Sequence, residues 1–203
     1  MACAIVRRAV HLEVTGLDNV PEHGPAILVA RHYHHLYDAA AILANARREV
    51  HVLVAVDWLA GGWRLVLMRW LAAAARWPAV WRRGSNWRIN REGYRKSLDL
   101  LNEGEVLLVF PEGHPNVDPL GTPKQTPDEF LPFDPGFLVL AERAPDDVPL
   151  IPVGLFYARC GRRGWSVWLR FGPPIRHDRG RAGRRAALAT VEFAVRELSG
   201  PPG

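Results

Sequence analysis

The sequence has few cysteines and no long apolar run. Only two cysteines, Cys3 and Cys160, occur in 203 residues, and they belong to no spaced motif. This scarcity argues against a disulfide framework or a cysteine-ligated zinc site and fits a reducing compartment. The most apolar stretch, residues 63–80, is interrupted by three arginines, whereas a membrane-spanning helix needs roughly 20 apolar residues. Because the first residues also lack the apolar core of a secretory signal, we expect a soluble or peripheral protein and not an integral one.

The sequence also lacks the motifs of several functional classes. It contains no internal repeats, no Gly-x-Ser-x-Gly elbow and no nucleic-acid recognition motif. Its net charge is +5, and arginine supplies nearly all of the positively charged side chains. Such a balance suits an anionic partner: nucleic acid, a phospholipid surface or a phosphorylated substrate. The basic residues are scattered along the chain, which argues against nucleic acid as the partner.

Strand and helix patterns alternate along the chain. Apolar or alternating runs bounded by Gly and Pro predict strands at residues 10–16, 26–30, 50–56, 105–110, 149–157 and 165–172. Helical patterns fall at residues 39–50, 61–77, 92–101, 137–143 and, in a basic segment, about 181–199. We predict an α/β fold: one domain, residues 1–203, with a largely parallel mixed sheet flanked by helices. Ligands of such sheets bind where strands end, so the loops after residues 30 and 110 are the candidate sites.

The first of these loops, residues 31–38, is rich in histidine. It contains His32, His34 and His35 and ends at Asp38. Some binuclear zinc hydrolases use a His-x-His-x-Asp-His run, but here the aspartate comes too late and no histidine follows it. A second interpretation is a general base, because a carboxylate can orient a histidine whose other nitrogen takes a proton. No cysteine lies beside the loop, so the substrate would supply its own hydroxyl. A third interpretation is structural, with Asp38 capping the next helix.

Further motifs favour the second interpretation. HLEVTGLDNVPEHGPAILVARH leads into the histidine-rich loop, and WPAVWRR, LLNEGEVLLVFPEGHPN, FLPFDPGFLVLAER and VPLIPVGLF follow in that order. Together they resemble the glycerolipid acyltransferases, the 1-acyl-sn-glycerol-3-phosphate acyltransferase family, over about residues 9–175. The resemblance implies a glycerol-phosphate-acyltransferase-like fold. It also implies transfer of a fatty acyl group from acyl-CoA or acyl-carrier protein to the hydroxyl of a lysophospholipid, with 1-acyl-sn-glycerol-3-phosphate as the first expectation.

The resemblance assigns the base and its carboxylate. His32 is the expected general base, and Asp38 is expected to fix its tautomer. The family spacing of four residues between His and Asp would select Tyr33, but the register of the preceding strand favours His32. His34 and then His35 are the alternates. No metal ion or cofactor is expected in this mechanism.

The resemblance also assigns groups that bind the substrates. Arg82, or its neighbour Arg83, is expected to bind the acceptor phosphate, since a guanidinium matches phosphate oxygens bidentately. Backbone N–H groups near Val153 and Gly154 are expected to stabilise the oxyanion.

The Phe-Pro-Glu-Gly turn both follows the family pattern and departs from it. Pro111 and Gly113 are expected to form a tight turn close to the substrate. Glu112 is expected to bind an acceptor hydroxyl or to orient the phosphate-binding arginine. The family usually continues with Thr-Arg, but here His114 and Pro115 follow. This departure, and the long Pro-rich loop after it, leave the acceptor headgroup open.

Three tryptophans recur at a regular spacing. Trp63, Trp70 and Trp77 recur every seven residues, so on a helix they would share one face. Such a stripe is either core packing or an interfacial helix on a membrane surface. The expected location is cytoplasmic, peripheral on the inner face of the cell membrane. Two alternative functions remain: an acyltransferase on the same scaffold with another acceptor, and a zinc-dependent hydrolase that uses the histidines.

Overall fold

The protein folds around a six-stranded mixed sheet. A computed structural model describes residues 10–57, 62–82, 86–118, 121–126, 128–144, 147–160 and 164–202. The strands are β1 (Val10–Thr15), β2 (Ala26–Ala30), β3 (Val50–Val52), β4 (Val54–Ala55), β5 (Ala79–Val80), β6 (Val106–Val109), β7 (Leu150–Cys160) and β8 (Gly164–Phe171). The main sheet has the order β1-β8-β7-β2-β6-β3, and only its β7–β8 pair is antiparallel. The predicted largely parallel mixed sheet is therefore confirmed.

Helices connect most of the strands. They are α1 (Tyr37–Asn45), α2 (Gly62–Ala74), α3 (Trp87–Asn102), α4 (Gly136–Arg143) and α5 (Arg181–Leu198). The start of α3 lies before the predicted residue 92 because Asn86 caps it, its side chain accepting the Ile89 N–H at 3.4 Å. In contrast, α1 ends before the predicted residue 50, since Ala46 leaves the helical region with a ψ of 135°.

The predicted strand at residues 50–56 forms two strands with different partners. β3 joins the edge of the main sheet beside β6, whereas β4 pairs with β5 in a separate two-stranded ribbon. The Leu53 N–H donates to the Leu108 carbonyl and the Val54 N–H to the Pro78 carbonyl, both at 2.9 Å. The chain thus changes partner between these two residues. As a result, the segment after β4 approaches the segment after β5.

The sheet buries apolar side chains on both faces. On β2, Leu28 belongs to the core shared with α1, and Val29 belongs to the core shared with α3, α4 and α5. All of β2 is buried, as is typical of a parallel strand covered on both sides. β2 and β6 are adjacent, with Val29 paired to Val109. The loops that follow these two strands therefore meet at one edge of the sheet.

Candidate active site

His32 and Asp38 form a hydrogen-bonded pair just beyond the end of β2. His32 Nδ1 lies 3.0 Å from Asp38 Oδ2, and the His32 ring stacks on Phe110 at a centroid distance of 4.4 Å. The Asp38 side chain is fully buried, whereas that of His32 is 16% exposed. An ionised carboxylate only accepts hydrogen bonds, so it holds the imidazole proton on Nδ1 and leaves the Nε2 lone pair as the basic site. The pair has the geometry of a general base and its orienting carboxylate.

Asp38 accepts three further hydrogen bonds. The backbone N–H groups of Tyr33 and His34 donate to Oδ2 at 2.6 and 2.8 Å. The Tyr157 hydroxyl donates to Oδ1 at 2.5 Å. Such donors satisfy the oxygens of the buried carboxylate. The N-cap position of α1 belongs to Leu36, so the interpretation of Asp38 as a helix cap is wrong: it organises the loop before the helix.

The alternate histidines have other contacts. His34 Nδ1 accepts the Leu36 N–H at 3.3 Å, and the His34 ring stacks on that of His35 at 4.7 Å. His35 Nδ1 lies 3.3 Å from the Val117 carbonyl. Burial lowers the pKa of His34. Among the described contacts of Asp38, the only imidazole is that of His32, so the geometry separates His32 from both alternates.

Glu112 has contacts that differ from the predicted ones. The prediction was a bond to an acceptor hydroxyl or to Arg82, but the Glu112 side chain has no exposed surface. Its Oε1 accepts the His32 backbone N–H at 2.9 Å, and its Oε2 accepts the Leu131 N–H at 3.0 Å. Lys124 Nζ lies 2.6 Å from Oε2 and balances the charge. Glu112 therefore anchors the backbone of the predicted base.

Lys124 connects the Pro-rich loop, residues 113–135, to the same backbone. Besides Glu112, its ammonium donates to the His32 carbonyl and to Asn116 Oδ1, both at 3.0 Å. Three acceptors match the three donors of an ammonium group. Burial lowers the pKa of Lys124, and the Glu112 carboxylate opposes that shift. Sequence reasoning missed this residue, although it is one of only two lysines in an arginine-rich chain.

Arg82 lies in a polar cluster after β5. Its Nε lies 3.0 and 3.1 Å from the two carboxylate oxygens of Asp57. Its Nη1 donates to the Gly113 carbonyl and lies 3.1 Å from His114 Nδ1. The side chain is 20% exposed, so these contacts hold it in place without enclosing it. Arg83, the alternative phosphate ligand, lies outside the described residues.

Pro111 and Gly113 form the predicted turn after β6. The Gly113 N–H donates to the Phe110 carbonyl at 3.0 Å. Gly113 has a φ of 70°, a left-handed conformation that favours glycine. The Pro111 carbonyl accepts the Asp134 N–H at 3.0 Å, which ties the turn to the far end of the Pro-rich loop.

A cavity of about 760 Å³ lies beside these groups, within the roughly 300–1,000 Å³ of small-molecule sites. Its polar lining includes His32, Arg82 and His114. Much of the rest is apolar and reaches α4, with Leu53, Val80, Val109, Phe110, Phe133, Phe137 and Leu140. The cavity therefore suits a ligand that combines a polar head with a hydrocarbon chain.

The predicted oxyanion donors lie inside the sheet. Val153 pairs with Ala30 on one side and with Phe171 on the other. A Cβ on Gly154 would come within 2.3 Å of the Leu198 backbone, so the end of α5 covers this position. Neither Val153 nor Gly154 lines the cavity. The prediction is wrong because β7 is an interior strand, whose backbone groups bond to its neighbours.

Two of the three regularly spaced tryptophans are exposed to solvent, and the third packs against the core. Trp63 and Trp70 on α2 are 70% and 65% exposed, as is Val66 between them at 68%. Among the described side chains of this helix, that of Ala72 is buried. Trp77 lies beyond the helix end and packs against the main core, so the three rings do not share a face. No helix in the described part of the chain is both long and apolar enough to cross a bilayer.

The described residues also bear on the zinc alternative. Within the ranges given above, no three His, Cys, Asp or Glu side chains are grouped so that they could hold a metal ion. The zinc-hydrolase alternative therefore has no ligand set in this part of the chain.

Comparisons with known proteins agree with this fold. The Acyltransferase family model matches residues 11–155, and the chain belongs to this family. Its structure is similar to that of the 1-acyl-sn-glycerophosphate (LPA) acyltransferase PlsC from Thermotoga maritima, with a TM-score of 0.62 and 21% identity. The similarity covers 96% of this chain and 74% of that chain. No curated protein matches the sequence. The predicted membership of an acyltransferase family is confirmed.

Proposed function

We propose that the protein is an O-acyltransferase that moves a fatty acyl group from acyl-CoA or acyl-carrier protein to the free hydroxyl of a lysophospholipid. The first candidate acceptor is 1-acyl-sn-glycerol-3-phosphate. The observation that carries the proposal is the 3.0 Å contact of His32 Nδ1 with Asp38 Oδ2, beside a cavity that Arg82 also lines. Membership of the Acyltransferase family supports the reaction class.

In the proposed reaction His32 is the general base. Its Nε2 takes the proton of the acceptor hydroxyl while that oxygen attacks the thioester carbonyl. The C–S bond then breaks, and the imidazolium returns the proton to the leaving thiolate, so the products are an ester and a free thiol. Asp38 stabilises the imidazolium. Arg82 binds the acceptor headgroup, and the apolar lining of the cavity takes the acyl chain.

Acceptor-dependent thiol release tests this proposal. Release from palmitoyl-CoA and from palmitoyl-carrier protein is measured with and without lysophosphatidic acid. We expect His32→Ala and Asp38→Ala to lower the rate at least about a hundredfold, and His34→Ala, the matched control, to retain most of it. If His34→Ala is the inactive variant, the base is misassigned. If neither donor releases thiol when any lysophospholipid is added, the proposed reaction fails.

A different acceptor is the second candidate, and the Arg82 cluster favours it. Asp57 already neutralises the Arg82 guanidinium, and His114-Pro115 replace the Thr-Arg usual in the family. Such a cluster attracts a doubly charged phosphomonoester less strongly than two unpaired arginines would. A panel of lysophosphatidic acid, lysophosphatidylcholine, an ornithine lipid precursor and a polyol distinguishes the candidates. If thiol is released with a neutral or zwitterionic acceptor and not with lysophosphatidic acid, the result supports the second candidate, a different acceptor.

We also propose that the protein binds peripherally to the inner face of the cell membrane through α2. This helix exposes Trp63 and Trp70, and Trp favours the boundary between membrane and water. Sedimentation with phosphatidylglycerol vesicles tests the proposal. We expect Trp63→Ser combined with Trp70→Ser to weaken binding at least about tenfold. Phe193→Ser, which removes a 66% exposed ring from α5, is the matched control, and an equal loss with it would contradict a role for α2.

A further inference from the structure

Tyr157 lies on β7, and its side chain reaches the carboxylate of Asp38. Alternate residues of a strand point to one face, so Tyr157 follows Ile151, Val153 and Leu155 into the core between the sheet and α1. At the carboxylate, its hydroxyl donates to Oδ1 at 2.5 Å, the short distance of a charge-assisted hydrogen bond. The ring is held by stacking on Tyr33 at a centroid distance of 4.5 Å.

The two oxygens of Asp38 have different contacts. Oδ2 receives the His32 imidazole and the two backbone N–H groups of the histidine-rich loop. Oδ1 receives the Tyr157 hydroxyl. A contact at each oxygen prevents rotation of the carboxylate about its Cβ–Cγ bond. The Tyr157 hydroxyl at Oδ1 therefore acts together with the two backbone N–H groups at Oδ2 to fix the direction of Oδ2 toward the imidazole.

We propose that Tyr157 is a positioning residue of the acyl transfer, an inference that rests on the proposed function: its hydroxyl orients Asp38 and sets the proton affinity of His32. A hydrogen bond to a carboxylate withdraws part of its charge. Without that bond, the carboxylate would attract the imidazolium more strongly, and the pKa of His32 would rise.

Other charged and titratable groups lie near His32 and Asp38, but they take no part in the hydrogen bond between Tyr157 and Asp38. They are Arg31, Tyr33, His34, Glu112 and Lys124. Removal of the Tyr157 hydroxyl leaves each of them in place. A change in the pKa of His32 would therefore be caused by the loss of that hydroxyl. Burial, and then the neighbouring Asp38, raise the pKa of Tyr157 well above its usual value. The hydroxyl is therefore a hydrogen-bond donor throughout the range in which a histidine titrates.

Tyr157→Phe tests the inference with two readouts. The first is the pKa of His32 in the ligand-free protein, followed by NMR of its imidazole. The second is the acid limb of the pH profile of kcat/KM for acceptor-dependent thiol release. We expect both to move to higher pH by about half a unit or more. Tyr37→Phe is the control, since it removes the hydroxyl of a 38% exposed tyrosine from the first turn of α1, and both readouts should keep their wild-type values.

An unchanged His32 pKa in folded Tyr157→Phe overturns the inference. If that variant does not fold, replacement of Tyr157 by a difluorotyrosine keeps its size and strengthens the donor. The pKa of His32 should then fall, and an unchanged or higher value also overturns the inference. If the wild type releases no thiol, the proposed function fails, whereas the NMR titration still decides the link between Tyr157 and His32.

Discussion

Lys124 Nζ lies 2.6 Å from Glu112 Oε2, and neither side chain has exposed surface. Glu112 comes from the turn after β6, whereas Lys124 comes from the Pro-rich loop. Both also bond to the backbone of His32, Glu112 at the N–H and Lys124 at the carbonyl. One buried ion pair therefore holds both the N–H and the carbonyl of the predicted base. The Pro-rich loop, which supplies Lys124, thus stabilises the position of His32.

The first prediction concerns this ion pair. Lys124→Met should lower the free energy of unfolding by about 3–5 kcal/mol, because it leaves the buried Glu112 carboxylate unpaired. Glu112→Gln combined with Lys124→Met removes both charges and should recover part of the loss, but not all of it, because the amide nitrogen of Gln cannot accept the backbone N–H that bonds to Oε2. Urea denaturation at pH 7 measures both variants. Equal losses in the single and the double variant would show that the charge of Glu112 is not the cause.

The second prediction concerns the acceptor headgroup. Arg82→Gln should raise the KM for the acceptor at least about tenfold with a smaller change in kcat, because it removes a charge-assisted contact to the headgroup. Arg82→Lys should not restore the KM, since an ammonium lacks the guanidinium fork. Steady-state kinetics of thiol release measure both parameters.

A control is needed because Arg82→Gln leaves Asp57 buried and unpaired. Asp57→Asn combined with Arg82→Gln removes that charge and should keep the high KM. Arg47→Gln, a change in an exposed ion pair with Asp18, should leave the KM at its wild-type value. A wild-type KM in the Arg82 variants would exclude this residue from headgroup binding.

The third prediction concerns the length of the acyl chain. Leu53 is partly buried and lines the cavity. Leu53→Trp should shift the preferred donor to shorter acyl chains because the larger ring occupies part of the cavity, and Leu53→Ala should shift it to longer chains. A series of acyl-CoA donors from C8 to C20 measures the preference. Shifts of both variants in the same direction would mean that this cavity does not hold the chain.

The fourth prediction concerns stability at alkaline pH. The pKa of Tyr157 is raised in the folded protein, so above a pH of about 10 the unfolded chain loses this proton first. The stabilisation is complete below that pH and is lost as the pH rises toward the folded-state pKa. The free energy of unfolding should therefore fall more steeply in the wild type than in Tyr157→Phe.

Urea denaturation at pH 8 and at pH 11 measures this difference. Lys124 has the opposite shift, but it is present in both proteins and does not affect the comparison. Tyr37→Phe should retain the wild-type slope. Equal slopes in the wild type and Tyr157→Phe would mean that the two states share one pKa for Tyr157.

Local patterns predicted most of the secondary structure. Residues 26–30 and 106–110 are apolar runs bounded by turn or polar residues, and both form interior strands of the main sheet. The prediction of one strand at residues 50–56 is wrong because this run is apolar throughout except at His51, while its hydrogen-bond partners change at residue 54. A local pattern reports burial and contains no information on which strand lies alongside.

The sequence by itself determined the family, most of the order of strands and helices, and the short set of residues that includes His32, Asp38 and Arg82. These depend on neighbours along the chain: runs of apolar residues, turn-forming glycine and proline, and motif order. The tertiary structure alone decided which histidine meets Asp38. It also brought Tyr157 and Lys124 to the site across more than 90 residues of chain. Contacts of this kind are created by strand register and loop closure, which no local spacing encodes.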